Sequence, residues 1–232
     1  MKAILVLVVA IAFAIAPFLS PEFGGFDPDK YPIPQRNPAV QPAGWAFSIW
    51  GPIYLWLIAH AALGAFKFRQ DAAWDKGRIA LALSLAVGAI WLPVALWSPI
   101  WATILIWIML IAGLIALYQL EGATPAWIAR WPIALYAGWL SAASFVSIGL
   151  LLAGYGVVGE FAAAVIALIL ATGFASFNAC RLKSWPYAIA VAWGFFGIAM
   201  ANIGSATMLT IAAMVAAIIV LGLTALPKKS PG

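Results

Sequence analysis

Runs of roughly twenty apolar residues recur along this chain, separated by prolines, glycines or short charged stretches. A run of that length and polarity is what crosses a hydrocarbon core about 30 Å thick as a helix. The composition says the same: of 232 residues, 66% are hydrophobic and 8% charged, against about 25% charged in soluble domains. The pattern fits an all-α polytopic membrane protein with no room for a soluble domain.

Taken in order, the breaks divide the chain into eight helices. Met1-Lys2 precedes an apolar run from Ala3 to Leu19 that is similar to a signal peptide, with a small-residue site at Ala14-Ile15-Ala16. Pro17 directly after that site argues against cleavage, so a retained first helix is expected. The next helices are expected at about Gly44 to Phe68, Ile79 to Trp97, Ser98-Pro99 to Leu120, Trp131 to Leu152, Phe161 to Cys180, Trp185 to Ile203 and Ala206 to Leu226.

The basic residues give the topology. With the N-terminus inside and eight alternating helices, Lys2, Lys67, Arg69, Lys76, Arg78, Arg130, Arg181, Lys183, Lys228 and Lys229 fall inside. Only Lys30 and Arg36 fall outside, completing the 12 Lys and Arg. That asymmetry follows the positive-inside rule. It predicts cytoplasmic N- and C-termini and an outward-facing loop at 20–43; the expected location is a bacterial inner membrane. Trp45, Trp97, Trp101, Trp131 and Trp185 lie near predicted helix ends, as an interfacial aromatic belt would.

The 20–43 loop carries Pro21, Pro28, Pro32, Pro34, Pro38 and Pro42, which rule out a continuous helix. Gly24-Gly25 and Asp27-Pro28-Asp29 are turn signals. A connection this long is either a flexible surface loop or a lid over a pocket. It runs into Pro42-Ala43-Gly44-Trp45-Ala46-Phe47-Ser48-Ile49-Trp50-Gly51-Pro52-Ile53-Tyr54, where Trp50 and Tyr54 share one helical face.

Ordinary catalytic equipment is missing from the sequence. No carboxylate pair falls inside a predicted span. His60 is the ionisable residue within an apolar segment, and it reads as a hydrogen-bonded packing residue. Cys180 is the single cysteine, which excludes an internal disulfide and a multi-cysteine metal site. No phosphate loop, nucleophile elbow or basic nucleic-acid patch is present.

Tryptophan and tyrosine at helix depth stand out instead: Trp50 with Tyr54, Trp56, Trp91, Trp107, Tyr136 with Trp139, and Trp193. Singly, each reads as packing or lipid contact. Together they offer flat faces for a planar apolar ligand. On the fifth helix, Tyr136, Trp139, Ala143 and Ser147 fall within about 80° of arc, two large aromatics followed by small residues.

Three segments resemble the translocator protein (TspO) family, also called the peripheral benzodiazepine receptor or tryptophan-rich sensory protein family. Pro42 followed by Trp45, Phe47, Trp50 and Tyr54 is similar to its second-helix signature. Leu85-Ala86-Val87-Gly88-Ala89-Ile90-Trp91-Leu92-Pro93 is similar to its third-helix motif, with Gly88 where the family has Asn. Tyr136-Ala137-Gly138-Trp139-Leu140-Ser141-Ala142-Ala143-Ser144-Phe145 is similar to its fifth-helix motif, with Ser147 where that motif closes on Asn.

The resemblance covers about residues 1–154. It implies a five-helix bundle under a Pro-rich lid at 20–43, with a three-helix extension over 155–232. It also implies a hydrophobic ligand, such as a porphyrin, another tetrapyrrole or a sterol, in a pocket formed by Trp50, Tyr54, Trp91, Tyr136, Trp139 and Ala143. No cofactor is required, although a bound porphyrin or other tetrapyrrole fits the family. The expected role is a receptor, sensor or carrier, and catalysis is not the expectation. Alternatives are a porphyrin-degrading membrane enzyme and a structural subunit of a larger complex. Expected partners are the bilayer, the small molecule and a second copy or larger membrane complex, with no nucleic acid.

Overall fold

The computed structural model describes residues 1–21 and 23–226. Glu22 and the topology charges Lys228 and Lys229 lie outside the described residues. Among the described residues the regular structure is helical throughout. The long helices are α1 (Lys2–Ile15), α2 (Trp50–Phe66), α3 (Arg78–Trp97), α4 (Pro99–Gln119), α5 (Trp131–Gly154), α6 (Glu160–Leu182), α7 (Trp185–Ala201) and α8 (Thr207–Ala225). All but α7 are long and apolar enough to cross a membrane, counting the 3-10 turns that extend α1 and α2, and α7 is a shorter apolar helix. The chain is an integral membrane protein of helical class.

Prolines set two boundaries that differ from the sequence expectation. The segment Gly44–Ile49 is a 3-10 helix, and α geometry begins only at Trp50. Pro52 has no N–H to give the Ser48 carbonyl, so the preceding turn cannot close as α. The Trp50 N–H bonds back to Phe47 and Ser48 instead. Likewise α1 tightens into a 3-10 turn over Ala16–Leu19, where Pro17 cannot donate to Phe13.

The bundle is organised on α5. Its apolar window is 67% buried, against 33% for α1, α3, α6 and α8. It packs against α4, α6 and α7, while α1 lies between α2 and α3, and α8 covers α6 and α7. Gly138 permits the closest of these approaches, because a Cβ there would run into the Tyr187 carbonyl of α7. Buried hydroxyls tie the layers together. Ser84 Oγ donates to the Met109 carbonyl (2.6 Å) and so accepts from Tyr136 Oη (2.9 Å). Ser141 Oγ donates to the Ala137 carbonyl (2.8 Å) and accepts from Tyr187 Oη (2.9 Å). Such pairing is required of polar groups within an apolar bundle.

The two ends differ in charge. One end holds Lys2 paired with Asp75 at 2.6 Å, Arg78, the α4–α5 connection, and Lys183 donating to the Leu223 carbonyl at 2.7 Å. His60 belongs to this end. Its Nδ1 donates to the Ile128 carbonyl at 2.8 Å and its ring stacks on Trp74 at 5.0 Å, a packing role. The other end carries the 20–43 loop. Trp45, Trp97, Trp101, Trp131 and Trp185 are all exposed.

That loop is folded down onto the helix ends. The Ile33 N–H bonds the Gly154 carbonyl of α5 (2.9 Å), and the Ala43 N–H bonds the Gly197 carbonyl of α7 (3.0 Å). The Ala39 N–H donates to Glu160 Oε1 at the start of α6 (3.0 Å), and Asn202 Nδ2 donates to the Ala39 carbonyl (2.8 Å). Tyr31 and Val40 are buried beneath. The second half of the loop is therefore held by α5, α6 and α7. The first half, around Phe23-Gly24-Gly25-Phe26, lies over the aromatic residues of α2, α3 and α5.

Candidate functional site

The 3-10 turn before α2 brings Phe47 under the loop and delivers Trp50 and Tyr54 one helical turn apart. Their rings stack at 5.3 Å with 17° between planes. Phe13 of α1 meets them edge-on, 5.0 Å from Tyr54 and 5.7 Å from Trp50. Trp139 of α5 stands edge-on to Trp50 at 6.3 Å and to Phe47 at 5.8 Å. Trp91 of α3 is fixed by its indole N–H, which donates to the Ala102 carbonyl of α4 at 2.9 Å. Edge-to-face geometry is the favoured aromatic arrangement, so these rings hold one another in place.

Around them lie two adjoining lobes that share Phe23, Phe47, Trp91 and Ile106 as a common wall. The larger, about 190 Å³, is lined by Phe13, Trp50, Tyr54, Gly88 and Met109. The smaller, about 50 Å³, is lined by Phe26, Gln41, Trp139, Ala143, Ser147 and Gly194. Together they fall short of the roughly 300–1,000 Å³ usual for ligand pockets. The 20–43 loop covers part of the site. Phe23 presents its edge to Trp91 at 5.2 Å and Phe26 lies 6.3 Å from the same ring. Gln41 Nε2 reaches the Gly24 carbonyl at 3.3 Å.

Of the residues expected at the site, Trp50 and Tyr54 line the larger lobe, Trp139 and Ala143 the smaller, and Trp91 both. Tyr136 lines neither. It is fully buried behind the wall, its hydroxyl on Ser84 and its ring 5.8 Å from Phe13. Gly88 does line the larger lobe, but the place of a side chain there is taken by Phe13. The site also reaches beyond residue 154, because Gly194 of α7 contributes to the smaller lobe.

Sequence reasoning missed Phe13, Phe23, Phe26 and Gln41. A signal for the lid pair existed: two phenylalanines flanking Gly24-Gly25 in a loop would be left in water unless something covered them. Phe13 had none, being one apolar residue among many in α1.

The chemistry available is restricted. Among the described residues, neither lobe is lined by Lys, Arg, Asp, Glu, His or Cys. Ser147 Oγ is spent on the Ala143 carbonyl at 3.1 Å. What the walls offer is aromatic surface, aliphatic surface and a few neutral polar atoms, an arrangement suited to binding rather than to proton transfer. On the lid itself, burial pushes the Tyr31 hydroxyl pKa up, and no partner for that hydroxyl is found among the described residues.

Compared with known families, residues 2–226 match a family model described as TSPO-like protein. The match runs through all eight helices. No curated protein and no solved structure gives a significant match to the chain.

Proposed function

The chain belongs to the TSPO-like protein family, and on that premise we propose that it is a membrane receptor, sensor or carrier. Its ligand is a planar hydrophobic small molecule, tetrapyrrole- or sterol-like, held in the aromatic cavity beneath the 20–43 lid. The observation that carries this reading is the convergence of Trp50, Tyr54, Trp91 and Trp139 from α2, α3 and α5 on two adjoining lobes. Burial of a flat apolar ligand there is worth about 25 cal/mol per Å² removed from water, before the entropy of binding is subtracted.

A tetrapyrrole is larger than the two lobes, so in this reading binding requires Phe23 and Phe26 to lift from Trp91. The way the loop is held supports this: its second half is bonded to α5, α6 and α7, while Gln41 reaches the tip through a long hydrogen bond to the Gly24 carbonyl. In this reading the termini are cytoplasmic, the lid faces outward, and the membrane is a bacterial inner membrane.

Titration with a porphyrin should quench tryptophan fluorescence saturably, a sterol should compete, and Trp139→Ala should weaken both effects. Linear, unsaturable quenching with every tetrapyrrole, together with no sterol competition, overturns the proposal.

A further inference from the structure

Among the described residues, the lining of both lobes carries no charged side chain. The lid does carry two cations, Lys30 and Arg36, but both are exposed and line neither lobe. Lys30 closes the 3-10 turn Pro28–Lys30 through its backbone N–H on the Asp27 carbonyl (3.1 Å), and its side chain is exposed. Arg36 faces outward and pairs with Asp29 at 3.3 Å. A ligand carboxylate drawn under the lid would therefore lose its water and meet no cation, which is strongly unfavourable in an apolar bundle.

Neutral polar atoms are available in the larger lobe. Tyr54 and Trp50 line it, and neither the Tyr54 hydroxyl nor the Trp50 indole N–H has a hydrogen-bond partner among the described residues. This contrasts with Trp91 and Tyr136, whose polar atoms are bonded to Ala102 and Ser84. An indole N–H only donates, and a phenol can donate. The site thus presents hydrogen-bond donors without presenting a countercharge.

We infer that the cavity selects an uncharged ligand bearing a hydrogen-bond acceptor, such as a carbonyl, ester or imine nitrogen, and discriminates against anionic tetrapyrroles and sterols of the same shape. This rests on the reading of the cavity as a ligand site and narrows its ligand class. Tyr54 and Trp50 receive the acceptor, and the aromatic walls supply the rest of the contact.

The test uses the full chain in lipid nanodiscs, with binding corrected for partition into protein-free discs. Protoporphyrin dimethyl ester is compared with the free diacid at neutral pH, and an uncharged keto-steroid with a steroid sulfate. The uncharged member of each pair is expected to bind more tightly by on the order of tenfold or more, the scale set by burying an unpaired charge at membrane depth. Affinity for the diacid should rise as pH falls through the carboxylate range, while affinity for the ester stays level. Tyr54→Phe should weaken the keto-steroid several-fold and leave a pure polycyclic hydrocarbon unchanged.

Equal or tighter binding of the diacid and the sulfate overturns the charge selection while leaving the cavity a ligand site. Equal loss of ketone and hydrocarbon in Tyr54→Phe overturns the acceptor contact. Failure of all four probes to bind saturably removes the ligand-site reading itself, and this inference with it.

Discussion

The ring of Phe13 occupies the space a side chain at position 88 would need: a Cβ on Gly88 would lie 2.7 Å from Phe13 Cε2. α1 and α3 pack against each other at this point, and the phenylalanine closes the larger lobe at the same time. The departure from the third-helix motif, Gly for Asn, is thus one half of a pair. Gly88→Asn should lower the thermal stability of the detergent-solubilised protein by about 1–3 kcal/mol through overpacking. Phe13→Ala alone should cost about 3–5 kcal/mol through the cavity it leaves. The double variant should be more stable than the sum of the two losses, with a coupling of about 0.5–3 kcal/mol. Strict additivity in the thermal unfolding data would show that the two positions do not share this space.

A second expectation concerns the lid tip. Gln41 is the side chain that reaches the Gly24 carbonyl, and Gly25, at φ +133°, lies so close that a Cβ would meet the Gln41 amide. Gln41→Ala should free residues 23–26 without unfolding the bundle. The readout is faster amide hydrogen exchange confined to that stretch, with exchange in α5 unchanged. Protection that stays the same at 23–26 would show that Phe23 and Phe26 hold the tip by themselves.

The anchored half of the loop should respond differently. Asn202 Nδ2 donates both to the Ala39 carbonyl and to the Ile198 carbonyl, each at 2.8 Å, joining the end of α7 to the loop. Asn202→Ala leaves a loop carbonyl without its donor and should cost about 1–3 kcal/mol. Hydrogen exchange should rise around residues 38–43 in preference to 23–26, the reverse of the Gln41 variant. The same pattern in both variants would mean that the loop opens as one unit.

How much of this could be read from the chain depended on whether the information was local. Helix number and order were legible, since each apolar run carries its own signal. Trp50, Tyr54, Trp91, Trp139 and Ala143 were legible as a set because large aromatics at membrane depth are conspicuous and their spacing fixes a helical face. Tyr136 shares that face in projection, yet it turns inward because Ser84, from a distant helix, offers its hydroxyl a partner. The docking of the loop on α5, α6 and α7 uses backbone atoms of Ile33, Ala39, Ala43, Gly154 and Gly197, whose pairing leaves no mark on residue type. The 3-10 start of α2 was readable in retrospect from Pro52, which denies Ser48 its α bond.

At the charged end, stability should depend on pH through Asp75. Its carboxylate accepts from Lys2 Nζ at 2.6 Å and from Arg78 Nη1 at 3.0 Å; the Lys2 bond foremost, with the Arg78 bond and the charges of both cations, holds its pKa below the ordinary value against the opposing desolvation. A depressed folded pKa means that the contribution is fully present above the unfolded value, about 4, and is lost as pH falls through the folded value. The melting temperature of the wild type should therefore exceed that of Asp75→Asn at neutral pH, and the gap should close on acidification below about pH 4. A gap that persists in acid would place the effect in the shape of the side chain and not in its charge.

The strongest loss expected at this end comes from Arg78. Its guanidinium is buried and spans the C-terminal turn of α2, donating from Nη2 to the carbonyls of Gly64 (3.1 Å) and Phe68 (2.7 Å) and from Nη1 to that of Arg69 (2.9 Å). These carbonyls lie at and just beyond the end of α2, where a helix carries its partial negative charge. Asp75 closes the arrangement on the fourth side. A planar fork is needed to reach all four acceptors, and an ammonium concentrates its donors on one atom. Arg78→Lys should therefore behave almost as badly as Arg78→Met, each costing about 2–4 kcal/mol as charged hydrogen bonds are lost and carbonyls are left without donors. Thermal unfolding of the two variants in the same detergent checks this. If Arg78→Lys melts like the wild type, charge alone holds the turn, and the fork geometry contributes nothing.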